Sequence, residues 1–209
     1  MKPDASVVAL SLGAVLLWAA WALMPDAATN DAGHILAAVS AARAAVRASA
    51  LLQLVGAALL VAGLAVEAGE GRRARAGAVA MLVGSVGMAA DAVYHQLAFE
   101  MTAPGVARDA VLPVMAKMQT EELRPLIPLL LLFPLGAIIL GVQRRRGDVG
   151  SSWTTRLLIA PAIIVPLGVG GRLLLDLPRR VVVLTMLGAT CAGLIGVAVD
   201  RSREKARRG

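Results

Sequence analysis

Six apolar stretches, each close to the 17–25 residues a helix needs to cross roughly 30 Å of hydrocarbon, constrain this chain more than any other feature. They cover residues 7–24, 49–66, 76–97, 125–142, 155–169 and 181–199. Only helices satisfy every backbone amide inside lipid without a partner segment, and an open sheet leaves its edges unpaired there. The sequence therefore predicts an all-α integral membrane protein of six transmembrane helices arranged as three hairpins, forming one polytopic domain over residues 1–209. Composition agrees: 58% of residues are hydrophobic and 17% charged, against roughly 45–50% and about 25% in soluble domains.

The first apolar stretch is expected to be a retained span. Lys2 is the only basic residue before it, and it is longer than the 7–15 residues of a signal-peptide core. Cleavage after it would leave five spans with the same sidedness. Trp18 and Trp21 near its end, and Trp153 before the fifth stretch, fall where amphipathic rings favour the headgroup level.

The formal charge of +7 is distributed in a way that gives it a meaning. With six spans, one side carries thirteen basic residues, including Arg72, Arg73, Arg75, Arg144, Arg145, Arg146, Arg156 and the tail 201–209; the other carries eight. The positive-inside rule then places both termini in the cytoplasm. Ala, Leu, Val and Gly dominate, as in GC-rich bacterial genomes, so a bacterial inner membrane is the expected location. The basic tail reads as an anchor for anionic lipids at the cytoplasmic face. Nucleic acid is excluded as a partner, because aromatic residues make up 3% of the chain and the arginines flank apolar blocks rather than lining one soluble face.

The first and third connections, on the outer side, are long and carry helical pattern. Asn30 or Asp31 can cap a helix whose stripe of Ile35, Leu36, Val39, Ala42 and Val46 runs on into the second span. Pro104–Gly105 marks a turn, Asp109 can cap a helix, and Val111, Val114, Met115 and Met118 then share one face. These two segments are expected to form an interfacial or lid layer. A shift of 77 residues brings Arg47 onto Arg124, and Arg180 stands before the sixth span in the same way. This is a faint threefold hairpin pattern, which arginine snorkelling at outer helix ends also explains.

Chemistry is expected around Asp91 and His95 in the third span. Ionisable residues inside a membrane are costly and normally face the bundle interior. Asp91 and His95 lie four residues apart on the face that also carries Met88, and Tyr94 and Thr102 are close in sequence. Three readings are open. Asp91 pairs with His95, or with Arg47, Arg124 or Arg172, merely to tie helices together. Alternatively, the pair belongs to a metal or haem site with Glu100, His34, Met88, Met101, Met115 or Met118, since imidazole and carboxylate suit zinc and thioether suits copper. His34 and His95, the two histidines of the chain, are the pair a bis-histidine haem would need. In the third reading the acid and imidazole, with Tyr94, Arg47 and Arg124 beside them, relay protons or hold a small polar ligand in an outward-facing cavity.

Pro125, Pro128 and Pro134 in the fourth stretch and Pro161 and Pro166 in the fifth each remove a backbone hydrogen bond. Gly84, Gly87, Gly168, Gly170 and Gly171 are expected to permit close helix packing. Cys191, the lone cysteine, sits in an apolar run and reads as a small hydrophobe. The sequence contains no phosphate-binding loop, dinucleotide fingerprint, nucleophile elbow or paired-histidine protease motif. Its leading functional expectation is an outward-facing polar site that binds or passes a small ligand, proton or metal. A non-catalytic subunit of a homo-oligomer or larger membrane complex, and a membrane-embedded metal- or haem-dependent enzyme, are the alternatives.

Overall fold

The structure, a computed structural model, describes residues 4–25, 31–69, 72–147, 150–175 and 178–208. The side chains of residues 72–74, 122–124, 169, 171–175 and 208 fall outside that description. All regular structure among the described residues is helical. Helix α1 spans Ala5–Leu23 and is capped by Asp4, which accepts from the Ser6 amide at 2.9 Å. It stops at Met24, whose extended backbone is what a following proline, Pro25, imposes.

Helix α2 (Ala32–Ala41) is capped by Asp31, whose carboxylate accepts from the His34 amide at 2.8 Å. The expected run into the next helix does not occur. The backbone breaks at Ala42 (φ −126°, ψ 32°), and α3 (Arg43–Gly69) starts anew. Arg43 accounts for the bend, because its guanidinium donates at 2.7 Å to both the Phe99 carbonyl and Thr102 Oγ1 at the end of α4 (Arg72–Met101). Tertiary hydrogen bonds thus override a continuous apolar stripe.

In the third connection, Gly105 turns with φ +86°, a conformation glycine adopts without strain. Helix α5 (Arg108–Lys117) follows, but Ala107 rather than Asp109 occupies its cap position, and Asp109 lies in the first turn. A π-helical turn, Met118–Glu122, leads into α6 (Leu123–Arg146). Pro125 has no amide to donate to the Glu121 carbonyl one turn back, and a wider turn upstream of a proline absorbs that loss. Pro128 and Pro134 are accommodated inside α6.

Among the described residues, five helical stretches are long and apolar enough to cross a membrane: Ala5–Leu23, Arg43–Gly69, Arg75–Met101, Pro125–Arg146 and Arg179–Arg207. They point to a multi-pass membrane protein. Long apolar side chains line their outer faces, as Val79, Val86 and Val93 do at seven-residue intervals, where lipid removes the penalty that water would exact. The expected span at 155–169 is instead two helices, α7 (Ser152–Ile159) and α8 (Pro161–Leu175). Pro161 cannot donate into the preceding turn, and the break falls at Ala160.

Helix α9 (Arg179–Arg208) runs antiparallel to α1 along its length. Arg180 donates to the Ala22 carbonyl, Trp18 Nε1 to the Leu184 carbonyl at 3.4 Å, and Lys205 pairs with Asp4. Successive neighbours close a ring in the order α1, α3, α4, α6, α7, α9. Its interior holds Leu10, Leu17, Leu60, Met81, Phe133, Leu140, Leu158, Leu187 and Leu194. Glycine sets the tightest contacts: a Cβ on Gly136 would stand 2.5 Å from the Met81 amide nitrogen, and one on Gly84 would reach the Phe133 backbone. Gly87 and Gly168 are also packed closely, against Leu129 and Val182; Gly170 has nothing within 4 Å, and Gly171 lies outside the described side chains. Cys191 is buried in the main core, as expected.

Candidate functional site

Helices α1, α3 and α4 each contribute to a buried polar cluster at the α2–α5 end of the bundle. The α-helical spacing of Met88, Asp91 and His95 turns all three toward α3 and α1. Gln53 of α3 meets them there: its amide donates to Asp91 Oδ2 at 2.8 Å and to the Met88 carbonyl at 3.0 Å. His95 Nε2 lies 3.7 Å from the same carboxylate oxygen, close enough for electrostatic pairing but beyond hydrogen-bond length. The side chains of Asp91 and His95 are 7% and 13% exposed.

Trp21 of α1 closes the cluster. Its ring meets the His95 imidazole edge-on, centroids 6.3 Å apart at 78°, so Trp21 turns toward the bundle interior. Trp21 Nε1 and His95 Nδ1 are both buried without a hydrogen-bond partner among the described residues. Buried polar atoms of this kind are rare in folded proteins. The cluster therefore holds a buried carboxylate, an imidazole and two nitrogens with hydrogen-bonding capacity to spare, which is chemistry suited to proton exchange or to holding a small polar molecule.

Tyr94 points to the covering layer. Its hydroxyl donates to Met115 Sδ at 3.5 Å and accepts from Gln119, which joins α4 to α5 and the π-helical turn. Met115 packs with Leu36, Val39, Val46 and Ala98 in a second, smaller core, and Arg108 donates to the Gly33 carbonyl at 2.9 Å. Helices α2 and α5 thus pack on each other and on this end of α4. Arg47 does not reach Asp91; its guanidinium lies 5.9 Å from the Phe99 ring, beyond that of Arg43 at 4.0 Å. Arg124 and Arg172 lie outside the described side chains.

The expected ligand set for a metal or haem does not assemble. Among the described residues no group of three His, Cys, Asp or Glu side chains converges. The His34 side chain is 79% exposed and bonds its own cap, Asp31. Glu100 accepts from Gln96 on the α4 surface at 2.9 Å, and Met88 is buried in the main apolar core. The physical reason is helical rotation: Glu100 follows His95 by five residues, about 140° around the helix from it.

No family model, curated protein or solved structure matches the chain. Its chemistry is read from its own residues.

Two features of the polar interior lie beyond the sequence expectations. Gln53 was legible as an amide inside an apolar block, LLQLVG, with Ser49 one turn before it; Ser49 Oγ donates to the Ala20 carbonyl at 2.7 Å. At the opposite end, four charged side chains, two in the last turns of α3 and α6 and two within α9, are drawn inward. Arg144 of α6 pairs with Glu67 of α3 at 3.4 Å and Asp200 of α9 at 3.2 Å, and Arg201 lies 3.8 Å from Glu67. Asp200 also accepts from the Ser151 amide at 3.0 Å. All four are buried, and two positive and two negative charges balance. Reading them as loop-facing topology markers misses this, because partners far apart in sequence carry no local signal.

Proposed function

We propose that the chain is a six-crossing inner-membrane protein with both termini cytoplasmic, and that its outer half holds a site where Asp91 and His95 bind a proton together with a small polar ligand. The antiparallel pairing of α1 with α9 supports the crossing number. Asp4 at the start of α1 meets Lys205 near the end of α9, and Ala22 meets Arg180. Both chain ends then share a side, which favours an even number of crossings, with the α7–α8 segment crossing in addition to the five long helices. At about 1.5 Å per residue, the span from Ser152 to Leu175 reaches roughly 36 Å even across its break. Basic residues set the sidedness, by the excess of arginine at the Arg144 end.

One observation carries the site: a buried carboxylate and imidazole held 3.7 Å apart, with His95 Nδ1 and Trp21 Nε1 unpartnered beside them. A cluster that only tied helices together would need Gln53 and Asp91 alone. A metal would need further ligands, and among the described residues no third His, Cys, Asp or Glu joins the pair.

Trp21 is a built-in reporter, since imidazolium quenches a neighbouring indole. In full-length protein carrying Trp18→Phe and Trp153→Phe, a pH titration of tryptophan fluorescence should show a single transition. His95→Gln should abolish it and Asp91→Asn should displace it. A flat titration in the parent, or one unchanged by His95→Gln, would remove the site. Elemental and optical analysis of the same preparation tests the metal and haem alternatives.

A further inference from the structure

We propose that the groove between α6 and α7, at the Arg144 end of the bundle, is a binding site for a phosphate group, presented by an anionic lipid or by a soluble phosphate ester. It lies at the far end of the molecule from Asp91 and does not depend on that site. The groove has a volume of about 470 Å³, within the range of roughly 300–1,000 Å³ usual for small-molecule sites. Arg144, Arg145, Arg156 and Thr155 supply its polar wall, and Ile163 its apolar one.

The charge of this wall is built rather than incidental. Arg144 is 8% exposed and its Nε, buried, has no hydrogen-bond partner. Glu67 and Asp200 hold its other nitrogens from behind and neutralise it. Gly150, with φ +78°, lets the backbone pass there: a Cβ on it would stand 2.5 Å from Asp200 Oδ2 and would strike Arg144. The positive field of the groove therefore comes from Arg145 and Arg156, which are exposed and form no ion pair among the described residues. Two guanidinium groups, those of Arg145 and Arg156, with the Thr155 hydroxyl in the same wall, supply the charge and donors that a phosphate mono- or diester takes.

The apolar wall distinguishes this groove from a plain basic surface. Ile163 in the wall is 60% exposed, and Trp153, in the first turn of α7 and outside the groove lining, is 65% exposed. The guanidinium groups thus stand where the apolar flank of the bundle ends, the position at which a lipid headgroup meets its acyl chains. Basic pockets between helices on the cytoplasmic side have the character required for anionic headgroups.

The test uses the full chain in detergent micelles, with native mass spectrometry as the readout of bound lipid. Dioleoyl phosphatidylglycerol should be retained in preference to dioleoyl phosphatidylcholine. Arg145→Gln with Arg156→Gln should weaken that retention about thirtyfold, a factor of about five for each arginine. Arg203→Gln with Arg207→Gln in the exposed tail should leave it intact, and Arg145→Lys with Arg156→Lys should restore most of it. Glycerol 3-phosphate added as competitor separates the sources. If it fails to displace the lipid, the headgroup belongs to the membrane; if it competes at similar concentration, the site takes a soluble phosphate ester. The proposal is overturned if the two lipids are retained equally, if the groove variant holds lipid as the parent does, or if the tail variant loses as much as the groove variant.

Discussion

Replacing Arg144 with methionine should destabilise the protein by about 3 kcal/mol. Arg144, Glu67 and Asp200 are each at most 8% exposed, and the arginine serves two carboxylates at 3.4 and 3.2 Å. Removing one partner of a buried ion pair costs about 3–5 kcal/mol, because an uncompensated charge is left behind. The lower end applies here, since Asp200 keeps the Ser151 amide at 3.0 Å and Glu67 keeps Arg201 at 3.8 Å. Methionine fills much of the arginine stem's volume, so the change isolates charge from packing. The double variant Arg144→Met with Asp200→Asn leaves Glu67 and Arg201 as a balanced pair and should recover about 1–2 kcal/mol, a coupling within the roughly 0.5–3 kcal/mol found for contacting residues. Equilibrium unfolding in mixed detergent micelles, followed by circular dichroism, measures both. At about 1.4 kcal/mol per decade, the single variant should shift the unfolding constant by roughly a hundredfold. A single variant destabilised by less than about 1 kcal/mol, or a double variant less stable than the single, would refute the reasoning.

Two other outcomes follow from particular contacts. Gly84→Val places a Cβ against the Phe133 backbone, 2.7 Å from its Cα, and should cost about 1–3 kcal/mol, whereas Gly170→Ala, with nothing within 4 Å, should be near neutral; unfolding of the two variants side by side checks this. The His34 backbone amide holds the Asp31 carboxyl below its ordinary value, helped by the His34 ring. A depressed folded value means that the cap supports α2 above the ordinary carboxylate range and is lost as pH falls through the folded value. Amide hydrogen exchange of α2 should therefore accelerate on acidification, and Asp31→Ala should remove that dependence; equal pH dependence in the variant would show that the cap is not its source.

The polar interior shows where local reading succeeds and where it stops. Asp91 and His95 stand out from the sequence because lipid makes an ionisable side chain in an apolar helix expensive, whatever surrounds it. Asp31 is legible as a cap for a similar reason: the amides it satisfies are its own neighbours. Arg43 and Gln53 are not legible in the same way. Their partners, Phe99, Thr102, Met88 and Asp91, belong to another helix, and nothing in the residues beside them announces it. Asp109 lies two positions past the cap, which Ala107 takes without a side-chain bond.

The sequence by itself determined the helical class, five of the six apolar segments, the helices in the two long connections and the placing of Asp91 and His95 on one helix face, since each depends on hydrophobicity or hydrogen bonding within one or two turns. The break before Pro161 in the remaining segment is also local, set by the proline's missing amide. Tertiary structure decided the bend at Ala42, the ring that returns α9 to α1, and the gathering of Glu67, Arg144, Asp200 and Arg201. Those features rest on contacts between residues as much as two hundred positions apart, such as Asp4 and Lys205. Such contacts form only once the helices have packed, so their energies leave no local trace in the chain.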